Sequence, residues 1–397
     1  MEIDKIIGAA EKKCEKLFRH FEEVALFNQK KVLDAFRDNR VALRHFSGSS
    51  GYAYGDAGRE ALSQVFARAF KKEAAIVSPL FGSGTHTIWV ALFGLSRPND
   101  IILSISGKVY DTLQKVIKGK SGSLEEYGIE FESVNLTDKA EFDTEAIEAA
   151  IKKHKPSLIY IQRAKGYEWR KALSVAQIDE VIEFVKKITK SPIIVDNCYG
   201  EFAEKEEPNA NIIMGSLIKN PGGGLAPTGG YIAGDRALIE SIEARYSAPG
   251  LGFDIGANPY GYQYYFQGFF LAPHVVLQAM KAAALFSEVF SALGYQTLGT
   301  ISDITCAIRC KNAQELIKFC QAIQAASPID SHVVPEPWPM PGYENEVIMA
   351  AGSFVQGSSI ELSADAPIRE PYIAYFQGGL SYEHAKIALK EVLINML

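Results

Sequence analysis

Lys219 ends the apolar run NIIMGSLI (211–218) and is followed at once by Asn-Pro-Gly-Gly-Gly. A surface lysine needs no such setting, and a lysine buried for packing alone is rare. Asp196 closes an earlier apolar run, PIIVD (192–196). An Asp there is commonly a helix cap. The residues that follow, Asn-Cys-Tyr-Gly-Glu, do not open an amphipathic helix, which favours a carboxylate held for another purpose. A third piece, PLFGSGTHTIWVALF, sets Gly82-Ser83-Gly84-Thr85 between a strand pattern and a helix pattern. Its glycines let backbone N–H groups approach a ligand, and the helix start favours an anion. Thr85 suits either a helix cap or a phosphate oxygen. Taken alone, the run reads as an ordinary strand-to-helix turn. It lacks the third glycine of a dinucleotide fingerprint, and the chain has no Walker sequence.

The combination says more than its members. A glycine anion loop, a strand-end Asp and then Ser216-x-x-Lys219 are the parts of a pyridoxal phosphate site. The phosphate needs backbone donors and hydroxyls. The pyridine nitrogen needs a carboxylate to keep it protonated, and the aldehyde needs a lysine amine as Schiff-base partner. A lysine so engaged carries no unpaired ammonium, and its burial stops being a pure cost. The glycines behind Lys219 are expected to leave room for the cofactor and for the swing of the released lysine.

Something must carry these residues to one place. Seven short apolar runs read as strands: 74–78, 101–105, 129–134, 157–162, 192–196, 211–218 and 229–234. Helical patterns at 85–95, 109–118, 143–153 and 175–189 fill the gaps between them. Continuously apolar strands alternating with helices predict an α/β fold, a mostly parallel seven-stranded sheet flanked by helices. Ligands sit beyond the carboxyl ends of such strands. Residues 1–50 read as an N-terminal helical segment and 51–265 as the large domain. Residues 266–397 read as a linking helix (266–293) and a smaller α+β domain. That domain has a strand at 303–310, a helix at 311–326, two strands near 346–362 and a closing helix at 381–395.

Composition excludes several classes. Lys+Arg 41 against Asp+Glu 47 gives a net charge of −6, so no basic footprint suggests nucleic acid. Five cysteines without paired short spacing argue against a disulfide framework and against zinc. The seven histidines form no metal set, and His86, inside the glycine turn, reads as a satisfied polar residue. No G-x-S-x-G elbow supports a Ser-His-Asp hydrolase. The N-terminal stretch has no signal-length apolar core, and no uninterrupted apolar run of about 18 residues suggests a membrane span. The expectation is a cytoplasmic protein.

The stretches GYAYGDAGREAL, FGSGTHTI, IQRAKGYEWR, VDNCYGEF, SLIKNPGGGLAPTGGYIAG, DIGANPYGYQ and PIREPYIAYFQGGLSYEHAK run from about residue 50 to 390. They resemble the methionine gamma-lyase-related family of fold-type I pyridoxal phosphate enzymes, whose members are also called aluminium-resistance proteins or cystathionine beta-lyases. The resemblance implies that Lys219 binds the cofactor covalently and Asp196 meets the pyridine nitrogen. Gly84, Thr85 and Ser216 would hold the phosphate, with Ser83 as a helper. Tyr110 stands where the wider superfamily stacks an aromatic on the cofactor ring, and it also suits a plain helix start. Gln162 and Arg163 end a strand where relatives touch cofactor or substrate; a supporting structural role suits them equally. Arg369 resembles the arginine that grips a substrate carboxylate, for which a planar guanidinium is suited. A structural salt bridge is its alternative. Tyr52, Tyr54 and Arg59 resemble a loop that reaches a neighbouring subunit's phosphate, although Tyr54 and Arg59 stand five apart instead of two. Ile218 also departs, since many relatives place a hydroxyl directly before the lysine.

The implied activity is beta- or gamma-elimination on a sulfur amino acid such as cystathionine, cysteine or methionine. Lys219 would move the alpha proton and Tyr110 would assist the leaving group. Transamination or other alpha-carbon chemistry uses the same Lys and Asp, and a non-catalytic protein retaining the fold is a third reading. A shared site would require a homodimer at least, and the resemblance implies a tetramer.

Overall fold

The computed structural model describes residues 2–299 and 302–396. The seven strands foreseen form one sheet: β1 (Ala74–Ser78), β2 (Ile101–Ser104), β3 (Glu130–Ser133), β4 (Leu158–Gln162), β5 (Ile193–Asp196), β6 (Ile212–Ser216) and β7 (Gly230–Gly234). Their order is β1-β7-β6-β5-β4-β2-β3. β7 runs antiparallel to both of its neighbours, and the pairs from β6 across to β3 are parallel. Buried side chains stand on both faces of β1, β2 and β4 to β7, which is why those runs are mostly apolar and do not alternate, whereas β3 (EFES) is a largely exposed edge strand.

Helices cover the faces: α1 (Glu2–Asp38), α2 (Ala57–Ala69), α3 (Gly84–Leu95), α4 (Asp111–Ile117), α5 (Thr144–His154), α6 (Val175–Lys186), α7 (Arg236–Tyr246) and α8 (Gln263–Ala292). α1 packs along α8 and adds to two cores. Ile7 and Ala10 join the core of the C-terminal sheet, while Cys14, Phe21, Val32 and Ala35 join that of the large sheet. α8 is long and apolar enough, by length and composition, to cross a membrane. Its apolar side chains are already used: Phe269, Val276 and Met280 lie in the first core, and Leu285, Phe286 and Val289 in the second.

Five antiparallel strands form the second sheet, in the order β10-β11-β12-β9-β8. They are β8 (Thr297–Leu298), β9 (Thr305–Arg309), β10 (Val347–Ala350), β11 (Ser363–Pro367) and β12 (Ile373–Gln377), backed by α9 (Ala313–Ala325) and α10 (Tyr382–Met396). The two strands expected near 346–362 are only partly there. β10 falls in that range, β11 and β12 lie beyond it, and 351–362 is loop. The sequence SADAP of β11 carries little apolar signal, and its strand form comes from pairing on both sides. Side chains alternate across this sheet. Ala364, Ala366, Ala374 and Phe376 enter the helix-covered core, while Met349, Ser363, Asp365, Tyr375 and Gln377 face the large domain.

Candidate active site

A cavity of about 290 Å³ lies between the carboxyl ends of the large sheet and the open face of the small one. Lys219 enters it from just past β6, and its Nζ stands 4.1 Å from the centroid of the Tyr199 ring. The glycines after Lys219 serve a purpose other than the one expected. A Cβ on Gly223 (φ 54°) would lie 2.3 Å from the Gly268 carbonyl oxygen of α8, and one on Gly224 (φ 73°) 2.5 Å from Leu380. They let the turn seat against α8 and the closing loop, and that contact fixes where the lysine emerges.

Asp196 ends β5, and its carboxylate accepts hydrogen bonds from the Cys198 N–H at 3.1 Å and the Tyr160 hydroxyl at 3.5 Å. Burial raises its pKa while Lys219 pulls it back. For Lys219, burial favours the neutral amine, but Cys198, Tyr199, Asp196 and Glu201 outweigh it and hold the pKa above the ordinary lysine range. Burial pushes the Cys198 thiol and the Tyr199 phenol up, and Glu201 up to about 8.

Gly84 opens α3 against Ser216, where a Cβ would come within 3.3 Å of the Ser216 Cβ. The Ser216 hydroxyl is buried with no hydrogen-bond partner, and so are those of Tyr167, Ser358, Ser359, Ser363 and Tyr375 on the cavity wall. Orphaned buried hydroxyls are uncommon, and six around one cavity are what a polar ligand would satisfy. Ser216, Gly84 and the α3 N-terminus fit a phosphate; Asp196 fits a protonated ring nitrogen; Lys219 fits an aldehyde. The residues present therefore suit pyridoxal phosphate. Thr85 lines the cavity and shares a 2.8 Å hydrogen bond with Thr112. Ser83, not Thr85, is the helix cap, accepting from the His86 N–H at 3.0 Å. The His86 Nδ1 in turn accepts from the Gly82 N–H, the satisfied role foreseen for it.

Tyr110 is both helix start and cavity wall. It precedes α4, its N–H donates to Gln162 Oε1 at 2.6 Å, and its hydroxyl meets that of Tyr343 at 2.8 Å. Gln162 lines the cavity beside it.

The family is shown by comparison. A sequence profile described as methionine gamma-lyase matches residues 3–397. This chain belongs to the methionine gamma-lyase family. It is similar to the protein YnbB of Bacillus subtilis, 46% identical over 96% of this chain and 93% of that one. It is also similar to a solved carbon–sulfur lyase involved in aluminium resistance from Clostridium novyi NT. That match is 44% identical with a TM-score of 0.95, covering 100% of this chain and 96% of the other. A solved protein from Listeria innocua, proposed to be a cystathionine beta-lyase involved in aluminium resistance, is 45% identical with a TM-score of 0.96 over 100% of both chains. Pyridoxal-phosphate proteins at 15% and 14% identity share the fold, with TM-scores of 0.64 and 0.59.

In this member of the methionine gamma-lyase family, two arginines do not stand where the resemblance implied. Arg163 is fully buried below the site. Its guanidinium donates to Asn197 Oδ1 and Glu204 Oε1, each at 2.8 Å, and lies 3.5 Å from Glu207. With its donors committed there, it does not reach the cavity. Arg369 also lies outside the cavity wall, donating to Asn345 Oδ1 at 3.0 Å with Asp111 at 3.9 Å. Arg59 is buried too, donating to the carbonyls of Ala53, Asp254 and Gly256 and so tying down the loop that bears the tyrosines. Tyr52 and Tyr54 stack on each other with centroids 5.5 Å apart, exposed and away from this chain's own cavity.

Several cavity residues went unforeseen: Tyr167, Lys165, Tyr199, Tyr343, Asp365 and Tyr375. Lys165 is buried and paired with Asp303 at 2.6 Å. One signal was available for Asp365, a charged residue alternating with alanines in SADAP. The tyrosines carried none, since nothing local marks them.

Proposed function

We propose that this protein is a pyridoxal-phosphate-dependent carbon–sulfur lyase that eliminates a thiol from a sulfur amino acid. One observation carries this reading. A half-buried lysine amine and a buried strand-end carboxylate share a cavity whose wall also holds an orphaned serine hydroxyl beside a helix N-terminus. Bound there, the cofactor would supply an aldehyde and a protonated ring able to draw negative charge off the substrate's alpha carbon.

The remaining work falls to this chain's own groups. Ser216, Gly84 and Thr85 bind the phosphate end. Asp196, itself held by Cys198 and Tyr160, keeps a proton on the ring nitrogen. Lys219 takes the proton from the alpha carbon, with Tyr199 beneath it fixing the amine's approach. Tyr110, kept as a neutral phenol by burial, donates a proton toward the departing sulfur. Tyr52 and Tyr54 would complete a neighbouring subunit's site, a reading supported by their exposure on the loop that Arg59 secures. The working form is then a dimer at least, and the family resemblance implies a tetramer. Five free, buried cysteines suit a reducing, cytoplasmic setting.

The deciding experiment uses purified protein supplied with pyridoxal phosphate. A yellow chromophore that borohydride fixes onto Lys219 is expected, together with thiol and keto acid from cystathionine, cysteine or methionine. Release of neither product from any of the three rejects the lyase assignment.

A further inference from the structure

Besides Ser216, five buried hydroxyls around the cavity have no partner, and three of them belong to serines of the small domain. Ser358, Ser359 and Ser363 are 1%, 6% and 5% exposed, too deep for bulk water to serve them. Gly357 holds a left-handed backbone (φ 77°), and the turn it makes brings this loop to Ile218, the residue before Lys219. A Cβ on Gly357 would come within 4.0 Å of the Ile218 Cδ1. Ser363 opens β11 and sits across from Gln377 on β12. Tyr375 stands opposite Asp365, two residues further along β11, with the Tyr167 ring 5.2 Å from its own.

The wall around these serines lacks a free cation. No arginine lines the cavity among the described residues, and Arg369, expected to grip a substrate carboxylate, donates to Asn345 outside it. Lys165 is bound to Asp303 at 2.6 Å, and Lys219 has its own task beside Asp196. An amino-acid substrate still brings a carboxylate, which only accepts hydrogen bonds and has room for about four. Hydroxyl donors satisfy it without a counter-cation. Hydrogen bonds to a charged acceptor are short and strong, and a carboxylate receiving two or three of them stays ionised. Each side then removes the other's penalty: the serines gain an acceptor and the carboxylate gains its donors.

We propose that Ser358, Ser359 and Ser363 form the cradle for the substrate's alpha-carboxylate, in place of the arginine expected there. Their position fits, because the loop reaches Ile218 and so lies next to Lys219, whose amine must reach the alpha carbon. Asp365 stands further along β11 and is left outside the cradle, so the carboxylate meets hydroxyls and not a second acid. This inference rests on the amino-acid reading of the site, and it assigns the residues that hold the end common to every such substrate.

The test compares L-norleucine, which has no sulfur to lose, with L-norleucinamide, which keeps its shape and lacks the negative charge. Absorbance titration of the wild-type holoenzyme should show norleucine binding about tenfold tighter or more. The double variant Ser358→Ala, Ser359→Ala should bring the ratio of the two toward one, and Ser363→Ala should lower it by less. All should keep the wild-type affinity for pyridoxal phosphate. These hydroxyls have no partner to lose, so the melting temperature of the cofactor-free variants should hold. Arg369→Ala should keep the wild-type ratio. Equal affinity of the wild type for both ligands overturns the proposal, and so does a double variant that keeps the ratio. A ratio lost in Arg369→Ala overturns it too, by returning the carboxylate to the guanidinium. Weaker cofactor binding in the serine variants, with the ligand ratio unchanged, overturns it by assigning the hydroxyls to the phosphate. Binding of neither ligand rejects the amino-acid reading and the proposal with it. A wild type that discriminates the two ligands but releases no thiol from any sulfur amino acid would reject the lyase reading and keep the cradle.

Discussion

Tyr199 lies beneath Lys219, its ring centroid 4.1 Å from the amine, and holds a left-handed backbone (φ 71°) to stay there. For a residue with a Cβ this conformation costs about 1–3 kcal/mol. Strain of that kind persists where surrounding structure imposes it, and here it aims a ring at the one reactive amine. Tyr199→Ala should therefore lower kcat by about 10- to 100-fold through a misplaced lysine, and Tyr199→Phe by much less. Steady-state thiol release reads this out. An alanine variant as fast as wild type would show the ring to be passive.

Asp196 is the carboxyl group that the half-buried Lys219 faces at the large-sheet end of the cavity. Asp196→Asn keeps the shape and removes the charge. The expected outcome is a fall in kcat of about a hundredfold or more, with cofactor still bound and its absorbance altered. Unchanged turnover in that variant would remove Asp196 from the chemistry.

Ser216 offers a test that separates binding from folding. Its hydroxyl is buried without a partner, so Ser216→Ala deletes nothing that stabilises the cofactor-free protein. The melting temperature without cofactor should hold or rise, while affinity for pyridoxal phosphate weakens by about tenfold or more, as for a lost hydrogen bond to a charged group. Fluorescence titration measures the second effect. Equal affinity in the two proteins would place the phosphate elsewhere.

Arg163 carries the opposite expectation. Removing it strands the buried Glu207 and the half-buried Glu204, so Arg163→Ala should cost about 3–5 kcal/mol in denaturant unfolding. Gly200→Ala probes the same network from outside, since its Cβ would lie 2.4 Å from Arg163 Nη1. A folded Arg163→Ala enzyme with raised KM and unchanged stability would instead support the substrate contact that the sequence suggested.

Glu201 makes stability depend on pH. Burial raises its pKa to about 8, and it accepts a 2.9 Å hydrogen bond from the Tyr231 hydroxyl. Between the ordinary carboxylate range and about 8 the folded protein holds a proton that the unfolded chain has lost. This contribution is fully present below the unfolded pKa and is lost as pH rises through the folded value. The slope reaches at most about 1.4 kcal/mol per pH unit. Glu201→Gln cannot lose that proton, and its denaturant midpoint should fall less than wild type's between pH 6 and pH 9. Parallel pH curves for the two proteins would contradict the assignment.

Strand runs such as IIVD and LIYIQ declare themselves because both faces of the large sheet are covered, and each must be apolar at every position. Lys219, Asp196, Gly84 and Ser216 were legible for a related reason: each sits at the end of such a run, where a parallel sheet necessarily gathers its ligand-binding groups. Local sequence alone thus determined the large sheet and the four positions that fit a cofactor. The opposite wall was decided only by tertiary structure. Tyr167, Tyr343, Asp365 and Tyr375 come from two loops and two strands of the small sheet, and no spacing along the chain records their meeting with one another or with Tyr110. Arg163 and Arg369 show the same limit from the other side. A guanidinium at a strand end or beside a proline looks identical in sequence whether it faces a substrate or a buried glutamate, and the fold settles which carboxylate or carbonyl lies within its reach.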